Sequence, residues 1–159
     1  MGGQRSARKV TDRDYQRLLE FRTGLRQFLR WSETQAEAAG VTPAQHQLLL
    51  AVRGQPDPQG PTIGDIADWL LLRHHSAVEL VDRAETAGLV RRGADADDGR
   101  IVRVRLTAKG GRVLERLAEA TLEELRRLGP RMRGLYEGLD STGEHPQLAA
   151  AVAAARRRD

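Results

Sequence analysis

The sequence predicts a mostly α-helical fold with one small two-stranded β element. Apolar residues recur at steps of three and four over most of the chain, the period of a helix with one buried face. Only between residues 89 and 106 does the period drop to two. The 159 residues, 40% of them hydrophobic and 4% aromatic, suit one domain with appended helices and are enough for a real core.

Residues 1–11 are polar and basic at Arg5, Arg8 and Lys9 and are expected to be a flexible tail. The first helix is placed in 12–41, with Leu18, Phe21, Leu25 and Phe28 in its stripe, flanked by Tyr15, Leu29 and Trp31, and Gly40 as its stop. Thr42-Pro43 restarts the chain as an N-cap followed by proline at the first helical position, and a short helix runs through Leu48, Leu49 and Val52. The stretch from Gly54 to Pro61 is all turn formers and polar residues. Thr62 followed by Asp65 then resembles a capping box, with Asp in place of the usual Glu, before the stripe Ile63, Ile66, Ala67, Leu70. After a break at 71–73, a fourth helix from His74 to Ala87 turns Ala77, Leu80, Val81 and Ala84 inward and ends at Gly88. Two helices joined by so short a turn form a helix-turn-helix.

Leu89 to Arg92 and Ile101 to Leu106 read as strands, and residues 93–100, with two glycines, as their hairpin loop. A ribbon directly after a helix-turn-helix is a wing. Thr107 can cap a last long helix from Ala108, with Leu114, Leu117, Thr121, Leu125 and Leu128 on its stripe. Gly129-Pro130 is a kink or a restart before Met132, Leu135 and Leu139. A polar break at 141–146 precedes an Ala-rich helix ending in Arg156, Arg157 and Arg158.

Composition removes several function classes. With no cysteine there is no disulfide scaffold, thiol switch or Cys-ligated zinc. No apolar run approaches the ~20 residues that cross a bilayer, so a soluble, cytoplasmic protein without membrane contact is expected. His74 and His75 point about 100° apart on a helix, and His46 and His145 have no ligand set nearby, so no metal is assigned. No catalytic constellation and no cofactor motif is present, so an enzyme is not expected. The net charge is +4, and Lys9 and Lys109 are the only lysines among 26 cations. Arginine is the cation suited to phosphates and base edges.

The run Leu80-Val81-Asp82-Arg83, the exit Gly88-Leu89-Val90, Arg92, the turn Asp98-Gly99-Arg100, and Val104-Arg105-Leu106-Thr107 with Lys109-Gly110 together resemble the MarR family of bacterial transcription regulators. The resemblance covers roughly residues 42–112. It implies a winged helix-turn-helix lobe over 42–107, with dimerisation helices at 12–41 and 108–159. It also implies a triangular homodimer, a fourth helix in the major groove, a wing in the minor groove, and release by a small molecule.

The residues support that picture on their own chemistry. Arg73, His74, His75 and Ser76 lie at the start of the fourth helix, where recognition helices reach base edges and phosphates. Glu79 and Arg83 follow on the same face; the carboxylate either accepts from cytosine or, as favoured here, pairs with Arg83 and orients it. In the wing, Asp98 can hold Arg100 in one orientation, and the resemblance makes Arg100 the minor-groove finger. Gly99 stands where many family members carry another cation. Thr62, Arg92 and Arg103 complete the candidate DNA contacts. Trp31 and His46 lie on helices that border the family's effector pocket, where a small aromatic or phenolic ligand would stack; Trp31 in a dimer core is the other reading.

From Thr62 to Arg112 there are nine bases against eight acids, so binding relies on placed arginines and two copies rather than on bulk charge. The expectation is a homodimeric, sequence-specific regulator of double-stranded DNA, repressing from a pseudo-palindromic operator. A winged helix used for protein–protein contact without DNA is the alternative that Gly99, Glu79 and the near-neutral lobe leave open.

Overall fold

The computed structural model describes residues 10–140, with side chains through residue 130. The elements are α1 (Asp12–Ala38), α2 (Pro43–Gly54), α3 (Ile63–Leu70), α4 (His74–Thr86), β1 (Val90–Ala94), β2 (Val102–Leu106) and α5 (Ala108–Asp140). Every element expected within these bounds is present. The calls on Met132, Leu135 and Leu139 fall outside the described side chains. Those on the first nine residues and on 141–159 fall outside the described residues.

Local chemistry sets the ends. Thr11, Thr42 and Thr62 each open a helix with a complete capping box, closed by Asp14, Gln45 and Asp65. Gly88 leaves α4 at φ +70°, a left-handed conformation that glycine adopts without penalty. The turn between α3 and α4 makes the same left-handed step at Leu71, with φ 54°, although Leu71 has a Cβ. Its neighbour closes the turn, the Leu72 amide donating to the Ala67 carbonyl at 2.8 Å. Pro130 sits inside a single helix that runs on to Asp140, so Gly129-Pro130 is not a restart.

β1 and β2 form an antiparallel ribbon with Val90 opposite Leu106 and Ala94 opposite Val102. The segment before α3 adds a third edge: the Val104 amide donates to the Pro61 carbonyl at 2.9 Å, and Thr62 bridges Arg103. This approach needs glycine at position 60, where a Cβ would stand 2.3 Å from the Val104 carbonyl oxygen. At the other end of the ribbon the Thr107 hydroxyl donates to the Gly88 carbonyl at 2.7 Å and accepts from the Gly110 amide. One threonine thus joins the exit of α4 to the start of α5, and Lys109 donates to the Ala87 carbonyl beside it.

Leu48, Leu49, Ile66, Leu80, Val81, Leu89, Val90 and Val104 form the core of the lobe, continued by Val113, Leu114 and Leu117 of α5. The stripe of α1 behaves differently. Only Ser32 and Ala36 of that helix are buried, while Leu18, Leu25 and Leu29 remain exposed in the single chain, with Leu122 and Leu125 of α5. No helix among the described residues is long and apolar enough to cross a membrane.

Candidate nucleic-acid interface

α4 packs Ala77, Leu80, Val81 and Ala84 into the core, which leaves Arg73, His74, His75, Glu79 and Arg83 exposed and Ser76 half-buried. Unlike α1, α2 and α3, this helix begins without a side-chain cap: Arg73 occupies the N-cap position and makes no capping bond. The first amides of a helix carry partial positive charge and unsatisfied donors, which suits an oxyanion. Glu79 lies 3.8 Å from the Arg83 guanidinium one turn on, the favoured pairing. Both side chains are mostly exposed, so the pair orients Arg83 more than it stabilises the helix.

The wing loop is braced from inside. Arg100 is 92% exposed, and its backbone amide donates to Asp98 at 3.0 Å while its Nε donates to the same carboxylate at 3.2 Å. The aspartate therefore holds both the turn and the guanidinium that projects from it. Asp95 is buried behind this turn. It accepts from the Asp97 and Asp98 amides, and these bonds, followed by the one from Arg103, hold its carboxyl below the usual carboxylate range.

Two arginines grouped with the DNA contacts from sequence have a different position. Arg103, only 15% exposed, donates to Asp95 at 2.6 Å, to Asp57 at 2.9 Å and to the Gly60 carbonyl at 3.0 Å. Arg92 donates to Glu85 at 2.5 Å and to Asp82 at 2.6 Å, and its amide also reaches Glu85. That amide bond is the main reason the Glu85 carboxyl sits below its ordinary range. Both guanidiniums are committed to internal carboxylates, so they are struts of the wing, one to the loop before α3 and one to α4. Thr62 is likewise occupied: its hydroxyl donates to Asp65 and accepts from the Asp65 amide.

Asp57, Gln59 and Asp95 are the partners that brace the wing, and the sequence reading did not single them out. Gln59 accepts from the Ala96 amide at 2.7 Å and donates to Asp97 at 3.3 Å, pinning the wing loop to the loop before α3. The separations involved, 37 to 46 residues for the links to Gln59 and Asp57, explain why no local pattern shows them.

Trp31 stacks on Phe28 with ring centroids 6.0 Å apart, and His46 is buried, which lowers its imidazole pKa. An open groove of about 870 Å³ lies elsewhere, between the end of α2, the loop before α3, β2 and the first turns of α5, and neither Trp31 nor His46 lines it. No cluster of three metal-ligating side chains occurs among the described residues.

Residues 39–101, the end of α1 through the wing turn, match the model of the MarR family. The lobe belongs to that family. The match spans the winged-helix lobe as far as the wing turn and leaves α1 and α5 outside it. The MarR fold extends over the flanking helices in solved structures. A mutant S. aureus MepR bound to an oligodeoxyribonucleotide is 22% identical, with 85% of this chain and 100% of that one covered at a TM-score of 0.62. CouR from Rhodococcus jostii bound to p-coumaroyl-CoA is 22% identical, covering 78% and 87% at 0.61. A MarR family protein from Bacillus stearothermophilus is 21% identical, covering 94% and 95% at 0.63. At these identities the likeness concerns the fold. No curated protein matches the sequence.

Proposed function

We propose that this MarR-family chain is a homodimeric repressor that reads a pseudo-palindromic operator with α4 in the major groove and Arg100 in the adjacent minor groove. The observation that carries the reading is the pairing of an uncapped, cationic helix start at Arg73, His74 and His75 with a wing whose exposed guanidinium is held in place by Asp98. Phosphate positions the helix at its free amides, and His75, Ser76 and Arg83 face the base edges. Arg92, Arg103 and Thr62 act indirectly, by fixing the wing and the start of α3.

The homodimer is supported by the exposed stripe of Leu18, Leu25 and Leu29 on α1 with Leu122 and Leu125 on α5. Large apolar side chains left exposed along two helices of a charged protein mark an association face. With residues 12–41 and 108–159 as dimerisation segments, two α4 helices would occupy half-sites about one turn, ~10 bp, apart. A small aromatic or phenolic effector would release DNA by favouring a lobe separation that no longer matches this spacing. The MepR structure holds DNA and the CouR structure an acyl-CoA, the two classes of partner this reading gives the chain.

Selection of bound sequences from random duplex DNA, with anisotropy titrations over a salt series, tests the reading. A two-fold symmetric motif and a steep fall of affinity with salt are expected. A dimeric protein that enriches no sequence overturns it in favour of a protein–protein module.

A further inference from the structure

We infer that Leu71, at the left-handed step between α3 and α4, is a specificity-determining residue that contacts the C5 methyl group of a thymine in each half-site. The inference deepens the operator reading and rests on it.

The first ground is the wrong residue at a strained backbone position. Among the described residues, positive φ occurs at Gly40 (+78°), Gly60 (+89°), Gly88 (+70°) and Leu71 (54°). Everywhere else the chain takes a left-handed step it uses glycine, which has no Cβ to crowd the following carbonyl. The hydrogen bonds around Leu71 are those of a helix end that favours glycine. The Leu71 amide donates to the Asp68 carbonyl at 3.3 Å and the Leu72 amide to the Ala67 carbonyl at 2.8 Å. Leucine therefore costs stability at this position.

The second ground is that no packing within the chain offsets this cost. Leu71 is 87% exposed, more than any other exposed large apolar side chain described. A strained residue without an internal benefit points to a use outside the chain.

The third ground is location. Leu71 stands two residues before Arg73, a span of at most ~7 Å. A duplex held by Arg73 and the free amides of α4 is thus within reach of a leucine side chain at position 71. A protein seated on Leu71 would also have to cover Arg73 and the start of α4, which the operator reading gives to DNA. In the major groove the apolar group that base edges present is the thymine methyl. Asp68, exposed one turn earlier on α3, repels phosphates, so the contact is to a base edge and not to the DNA backbone. The two backbone bonds that close the turn hold the leucine on a rigid mount, which reduces the entropy lost on contact.

The test is fluorescence anisotropy on the duplex selected from random DNA. Each thymine is replaced in turn, symmetrically in both half-sites, by deoxyuridine, which lacks only the methyl group. The parent, Leu71→Gly and Leu71→Asn are titrated with every duplex, and their melting temperatures are measured. At one thymine per half-site the parent is expected to lose about fourfold in affinity per methyl, the worth of one buried carbon. Both variants are expected to bind the unmodified duplex more weakly and to be indifferent to that replacement. Neither is expected to melt below the parent, since glycine and asparagine both accept the left-handed conformation. Equal sensitivity of parent and variants to every methyl, a selected half-site without thymine, or a lower melting temperature in both variants would each overturn the contact. In each of these cases a parent that still binds its selected duplex keeps the operator reading. A parent that selects no sequence removes that reading and this contact together.

Discussion

Arg103 reaches back eight residues along the hairpin to Asp95, Nε to Oδ2 at 2.6 Å, and so closes the wing loop on its own base. The same guanidinium extends to Asp57 at 2.9 Å, which makes the wing and the loop before α3 one mechanical unit. Replacing Arg103 by Leu leaves Asp95 buried without its cation, the arrangement that costs most when a buried pair is broken from one side. The expected outcome is a lower melting temperature and weaker operator binding with the dimer intact, checked by thermal melts, anisotropy and sedimentation. Parent-like binding would show that the wing needs no brace.

The same carboxylate sets an acid limit. The Asp95 pKa is depressed in the folded chain relative to its ordinary value of 3.8. A depressed carboxylate contributes stability in full above its unfolded value and loses it as pH falls through the folded one. Amide exchange in residues 95–101 is therefore expected to accelerate below about pH 4 before the helices of the core do so. Uniform acceleration across the lobe would contradict a locally braced wing.

Arg100 differs from Arg103 in having no internal task beyond its own turn. Arg100→Ala is expected to weaken operator binding by about 1–3 kcal/mol with little change in melting temperature, and to lower the salt slope slightly. Gly99 beside it provides a gain-of-function counterpart, since Gly99→Arg adds a cation where a Cβ meets nothing within 4 Å. Tighter, more salt-dependent binding by that variant is the expected result in the same titrations.

The fold was legible because its signals are local. Thr62-x-x-Asp65, Gly88 after the α4 stripe, and the two-residue alternation from Val102 to Leu106 each act within a few residues, and each appears where it was expected. Thr11-x-x-Asp14 has the same spacing as Thr62-x-x-Asp65 and could have been read the same way. The site was legible only in part. The pairs Glu79–Arg83 and Asp98–Arg100 lie within one turn or one hairpin tip, so spacing revealed them. Spacing alone does not show that Arg103 and Arg92 face inward, because that depends on carboxylates placed by the tertiary fold. An arginine in a wing reads as a DNA contact until its partner, Asp57 or Asp82, is known. The exposed α1 stripe has a related origin: periodicity reports which residues seek burial, and it does not say whether the cover is this chain or a second copy.

That last point has a direct test. Leu125 is 46% exposed in the single chain yet lies on the apolar face of α5. Leu125→Glu places a charge where a second copy would exclude water, at a cost that an isolated chain would not incur. The expected outcome is a folded monomer by sedimentation, with helical content retained and operator affinity strongly reduced. A variant that stays dimeric removes this face from the assembly.

His46 gives a pH dependence in a separate window. It is 5% exposed in α2, and burial lowers its pKa from the ordinary 6.5. The folded chain binds this proton less readily than the unfolded chain, so stability is full above about pH 6.5 and declines as pH falls toward the folded value. One proton sets the limiting slope at ~1.4 kcal/mol per pH unit. Denaturant melts between pH 5 and 8 are expected to show this decline in the parent and a flatter profile in His46→Gln, whatever the stability of the variant at pH 8. An equal slope in both proteins would move the linkage to another group.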